Sequence, residues 1–126
     1  MDIRTIDIKQ YHASAKFVMT EDGLFHKKSL PVLSVVQAVE GSYAIGVDTE
    51  HQVQTGAMGV FIAPPEKMQY ITHCVDSVSK VMKAQWICLD IIINGYYNIS
   101  DLFEFPVILP SNYQKNVYDI IKRVAI

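Results

Sequence analysis

The sequence predicts a mainly β protein: a jelly-roll barrel followed by a C-terminal α-helix. Three observations carry this. Short β-branched and aromatic runs recur between turn signals at intervals of about 8–12 residues, the pattern of an all-β sandwich or barrel. An apolar run, Val60 to Ala63, stops at the doublet Pro64-Pro65. The hydrophobic period changes from two to about 3.6 only after Ser111.

The strands follow in order. Leu33 to Val39 is short and β-branched, and Glu40-Gly41-Ser42 turns it, because glycine takes positive φ without strain. Tyr43 to Val47 resumes the sheet up to the polar turn Asp48-Thr49-Glu50. Gln52 to Gln54 makes a further short strand before Thr55-Gly56. Val60 to Ala63 then meets the two prolines. Proline cannot donate to a ladder, so Pro64-Pro65 belongs at a strand end or corner, and jelly rolls are built from such corners. Gln69 to Cys74 and Val81 to Ile93 complete the series, with Asp76-Ser77-Val78-Ser79 between them. Ser100 to Glu104 reads as a short helix ended by Pro106, its aromatic residues part of the core or of a barrel lid. Ser111-Asn112-Tyr113-Gln114 has the spacing of a capping box. Tyr113, Val117, Ile120, Ile121 and Val124 then form one apolar stripe of a helix. No Gly or Pro ends that helix before Ile126, so the natural protein is expected to continue. No internal repeat or low-complexity segment interrupts the chain.

Composition narrows the function classes. The 126 residues suit one domain with one core. Half are apolar and 19% charged, an ordinary globular balance. The apolar runs fall far short of the roughly 20 residues that a spanning helix needs, and Met1-Asp2-Ile3-Arg4 opens no apolar signal segment. No membrane association and a cytoplasmic location are therefore expected. The net charge of −2, with Lys27-Lys28 and Lys122-Arg123 as the basic doublets, lacks the clustered positive face that nucleic acid requires. Cys74 and Cys88 lack metal spacing and are expected to be small buried hydrophobes.

Chemistry-bearing patterns are sparse. The four histidines are His12, His26, His51 and His73. Two His one residue apart would point inward from one strand and hold a metal, but no His-x-His occurs. His51, beside Glu50 in a turn, is expected in solvent, and so are His12 and His26 in their polar surroundings. No nucleophile triad, Gly-rich phosphate loop or carboxylate pair stands out. No catalytic residue, metal site or cofactor is nominated. The single Trp is more informative. Strand alternation puts Ala84, Trp86 and Cys88 on one face. A small residue beside a large aromatic on a concave face leaves room for a flat ligand to stack; alternatively Trp86 only fills the core. Gln69, Ile71 and His73 share a face across from it. Glu40 is a ligand contact if it points inward and a solvated turn residue if it does not.

Val39-Glu40-Gly41, Gly59 to Pro65, Gln85-Trp86-Ile87-Cys88-Leu89 and the segment from Pro110 onward together resemble the N-terminal sensing domain of AraC-type transcription regulators. Those domains are cupin barrels. The resemblance implies a cupin-like effector-binding barrel with an N-terminal arm over residues 1–110, the arm covering residues 1 to about 25. Residues 111–126 would begin a linker or dimerisation helix. It implies a small-molecule effector, often a sugar, a homodimer, and DNA contact only through a C-terminal domain not present in this chain. By position Trp86 matches an aromatic residue that stacks on effector, and Glu40 a polar pocket position. Ala84 and Ile71 fall on pocket positions with different side chains. Gln69 and His73 would hydrogen-bond to effector. Val117, Ile120, Ile121 and Val124 would belong either to the helix packing that transmits the state or simply to packing on the barrel. The chain departs from the second cupin motif: its Gly, Pro, Gly, His and Asn positions read Met58, Pro64, Glu66, Gln69 and His73. The metal histidine is thus Gln69, and His73 stands where the motif has Asn. A binding module, not an enzyme, is the leading expectation. A free-standing cupin isomerase or dioxygenase, which stoichiometric metal would reveal, and a filled structural barrel are the alternatives.

Overall fold

The computed structural model describes residues 1–125. Among the described residues nine strands form two antiparallel sheets, and the first eight set their order. These eight are β1 (Ile6–Met19), β2 (Leu24–Ser29), β3 (Leu33–Glu40), β4 (Ser42–Val47), β5 (Val53–Gln54), β6 (Val60–Ala63), β7 (Met68–Cys74) and β8 (Met82–Ile93). One sheet runs β1-β8-β3-β6 and the other β2-β7-β4-β5. Successive strands therefore cross from one sheet to the other, except at the β4–β5 pair, and this is the order of a jelly roll. A two-residue strand, β9 (Tyr97–Asn98), adds to the end of β8 and leads into the single-turn helix α1 (Ile99–Leu102). A 3-10 turn at Ser111–Tyr113 precedes α2 (Gln114–Val124).

From Leu33 onward the strands stand within one or two residues of their sequence-derived positions. β6 ends at Ala63, and Pro64-Pro65 makes the crossing to β7 in the other sheet. Gly41 takes φ +79° in the tight crossing from β3 to β4, where a Cβ would collide with the Cys74 carbonyl oxygen. Two non-glycine residues also adopt left-handed backbone around the corner: Met58 at φ 64° and Glu66 at φ 67°. Glu66 is fixed there by donating its N–H to the Leu30 carbonyl at 2.7 Å, and Met58 by donating to Ala38 at 2.6 Å.

The N-terminus corrects the sequence reading. Residues 1 to 25 are not an arm: β1 pairs with β8 from Ile6↔Ile93 to Met19↔Met82 and closes one edge of its sheet. The register shifts twice, between Gln10 and His12 and between Ser14 and Phe17. Each bulge adds an unpaired residue and flips the alternation, so no continuous period-two pattern is visible in IDIKQYHASAKFVM.

The capping box is also corrected. Ser111 lies inside the 3-10 turn, where its carbonyl, not its hydroxyl, accepts the Gln114 N–H, and no side chain caps α2. The helix packs on β1 and β8 instead, and Gln37 of β3 reaches it. There the fully buried Gln37 donates to the carbonyls of Gln114 at 3.1 Å and Met58 at 3.0 Å. Gln85, equally buried, donates to Gln37 Oε1 at 2.8 Å and to the Tyr118 carbonyl at 3.3 Å. Of the apolar stripe, Ile121 is buried and Val117 half-buried, while Ile120 and Val124 face solvent. Between the sheets the core gathers Ala38, Tyr43, Ile45, Phe61, Ala63, Ile71, Met82 and Ala84. No helix among the described residues is long and apolar enough to cross a membrane.

Candidate functional site: the barrel lumen

The side chains that alternate onto the inner faces of the two sheets leave two adjoining cavities, of about 420 Å³ and 250 Å³. Lys28, Val36 and Trp86 line both, so the two meet at these residues. The register explains the grouping. On one sheet Val36 pairs with Trp86 and Ser34 with Cys88. On the other, Lys28 pairs with Gln69, and His26 and Leu24 pair with Ile71 and His73. Each set steps by two residues, and so each points to one side of its sheet. A groove of about 620 Å³ along Pro64, Lys67 and Ser100 to Phe105 is larger, but it lacks the lumen's convergence of aromatic and buried polar groups.

Trp86 forms a platform between the cavities. Phe17 meets it edge-on with ring centroids 5.6 Å apart, and His12 tilts against it at 6.0 Å. Further in, the His73 ring lies 5.0 Å from His26, 5.0 Å from Tyr43 and 5.8 Å from Phe17.

Several polar atoms in this apolar setting have no protein partner. Gln69 is 1% exposed and His73 4% exposed. Gln69 Oε1, both ring nitrogens of His73 and His26 Nε2 are buried without a hydrogen bond. Each such atom costs about 1–3 kcal/mol when left unsatisfied, and none serves a structural network. Burial, aided by the neighbouring His26 and Lys28, lowers the His73 pKa to about 4, so its ring is neutral at neutral pH. Burial and then Lys28 lower His26 in the same direction. Burial raises the Tyr43 hydroxyl well above its ordinary value, keeping it protonated.

The sequence-derived site residues divide. Trp86 lines both cavities, Gln69 the larger and His73 the smaller. Ile71 and Ala84 face inward but are buried in the core beneath the cavities. The space beside Ala84 is taken by Phe17, its register partner on β1. Glu40 is not a pocket residue. A register shift between Ala38 and Glu40 sets it opposite the exposed Lys83, with which it forms an ion pair at 3.5 Å.

Sequence reasoning missed His26, Lys28, Phe17 and Tyr43; His12 is exposed, as expected, but stands at the cavity rim beside Trp86. The alternation Leu24, His26, Lys28 after Gly23 was a usable signal. The bulges of β1 gave none for His12 and Phe17. Among the described residues no group of three or more His, Cys, Asp or Glu could hold a metal ion. Cys74 and Cys88 are unpaired and half-buried, and Cys88 lies 3.8 Å from the Ser34 hydroxyl at the lumen wall. No family model, curated protein or solved structure matches this chain.

Proposed function

We propose that this domain is a small-molecule sensor: a barrel that takes a flat ligand into its lumen against Trp86. We assign it to the effector-binding and dimerising part of an AraC-type regulator, with DNA contacted through another domain. The observation that carries the binding role is the pairing of an aromatic platform with buried polar atoms that have no protein partner. Aromatic walls with a few convergent polar groups are the usual make-up of a small-molecule site.

The resemblance gains support at the corner. Met58 and Glu66 occupy the two glycine positions of the second cupin motif, and both keep the left-handed backbone that glycine would supply. The same motif comparison puts Gln69 at the metal-ligand position, which favours binding over metal-assisted catalysis.

Signal transfer follows from the two faces of β8. Trp86 faces the lumen, and the adjacent Gln85 faces outward to hold the Tyr118 carbonyl of α2. A ligand that binds one arrangement of β8 and β1 better than another would bias the seat of the helix, and only such a difference in affinity can switch anything. Trp86 is the sole Trp, so its fluorescence reports lumen occupancy directly. Screening monosaccharides, aromatic acids and aromatic amides should yield compounds that shift it. Trp86→Ala should then weaken them roughly three- to tenfold in calorimetry, from the 0.5–1.5 kcal/mol of a stacked pair. Unchanged affinity in Trp86→Ala would refute the reading.

A further inference from the structure

The charge at the mouth of the lumen, on the exposed Lys28, narrows the ligand class. Among the residues lining the two cavities, Lys28 is the only one whose side chain is a fixed charge at neutral pH, and none carries a carboxylate. Lys28 forms no ion pair among the described residues, whose pairs are Arg4–Asp2, Lys67–Asp48, Lys83–Glu40 and Lys115–Asp119. Asp90, on the same face of β8 as Trp86 and Cys88, is not among the lining residues and accepts the hydroxyl of the lining Tyr11 at 2.8 Å. Lys28 also belongs to the inner face by register: it pairs with the buried Gln69, two residues from His26, and it stands at the junction of the cavities with Trp86.

Resting on the sensing-barrel reading, we infer that the lumen takes a planar organic anion, its ring on Trp86 and its carboxylate at Lys28 and Gln69. The walls around this junction, Val36, Leu30 and Val32, suit the flat apolar body. The Gln69 amide and the neutral His26 and His73 rings each supply an N–H that an anionic oxygen can accept. Lys28 is exposed at the rim, where its ammonium supplies a charge-assisted bond that salt screens. A neutral sugar would leave the Lys28 charge uncompensated at the mouth.

An inward-pointing charge on an edge strand such as β2 can also act only to block edge-to-edge pairing, and the test separates that role. Sodium benzoate and its neutral isostere benzamide would be titrated calorimetrically into the wild-type chain and into Lys28→Met, with Lys28→Gln as a second variant should the first misfold. The expected result is at least tenfold tighter binding of benzoate than of benzamide. That ratio should collapse towards one in the Lys28 variant, and added salt should weaken benzoate but not benzamide. Equal binding of the two probes to the wild type would overturn the inference. So would a ratio that Lys28→Met leaves unchanged, the outcome expected of a lysine that only protects the edge. If benzamide or glucose binds as well as benzoate and Trp86→Ala weakens it several-fold, the anion assignment fails while the sensing barrel stands. If no probe gives heat or moves the ring signals of His73 and Trp86 in NMR spectra, both readings fall.

Discussion

His73 shows how a single side chain can tie stability to pH. Its ring is enclosed by Phe17, Tyr43 and His26, with the Lys28 charge nearby. Burial holds its pKa near 4, against an ordinary value of 6.5. A lowered folded-state pKa means that the unfolded chain binds the proton first as pH falls. Stability from this group is therefore complete above about pH 6.5, is lost between 6.5 and 4, and levels off below. The slope reaches about 1.4 kcal/mol per pH unit at its steepest. His73→Phe should flatten the dependence, and His26, shifted the same way, should retain a smaller part of it. Urea denaturation of both proteins at pH 7 and pH 5 checks this, since the difference between them cancels every other group that titrates in that window. Equal slopes would refute the assignment. At this scale Gln69, His73 and Trp86 were legible in the sequence, because uninterrupted strands make alternation a reliable guide to the inner face. Glu40 was not, because one bulged residue turned it outward to Lys83.

At the scale of elements, β8 carries the argument. It pairs with β1 on one side and β3 on the other, so its two faces serve two purposes. The inner face holds Trp86 and Ala84, and the outer face holds Gln85 under α2. The helix stripe is real as a period but only half of it is spent on the barrel. Ile121 is 1% exposed and Ile120 is 55% exposed. Ile121→Ala should therefore destabilise by about 2–5 kcal/mol, as a buried large-to-small change does. Ile120→Ala should stay within roughly 0.5 kcal/mol in the monomer, as surface changes do. Thermal melts of the two variants would decide it, and equal losses would mean that α2 is seated on a different face. Propensity and periodicity located this helix to within a few residues. The glutamines that hold it could not be read, since Gln37 and Gln85 lie far apart in sequence and meet only when β3 pairs with β8.

For the whole molecule the question is what closes the barrel. β1 covers the free side of β8 and brings His12 and Phe17 to the lumen. A detachable arm could be removed without harm, whereas a closing strand cannot. Deleting residues 1–19 should abolish the cooperative thermal transition and the near-ultraviolet dichroism of the core aromatics, because β8 would lose a partner along most of its length. A truncated chain that still melts cooperatively at a similar temperature would restore the arm.

The sequence by itself determined the strands from Leu33 to Ile93, the Pro-Pro corner, the late helix and the inner face on which Trp86, Gln69 and His73 lie. These are local properties: strand alternation, the missing proline N–H and helical periodicity act over a few residues. Only the tertiary structure decided that β1 is a strand, that Lys28 and His26 join the lumen, and that Glu40, Ile71 and Ala84 do not line it. Those outcomes depend on bulges and on pairings between residues far apart in sequence, whose register is set by the assembled sheets and not by any local signal.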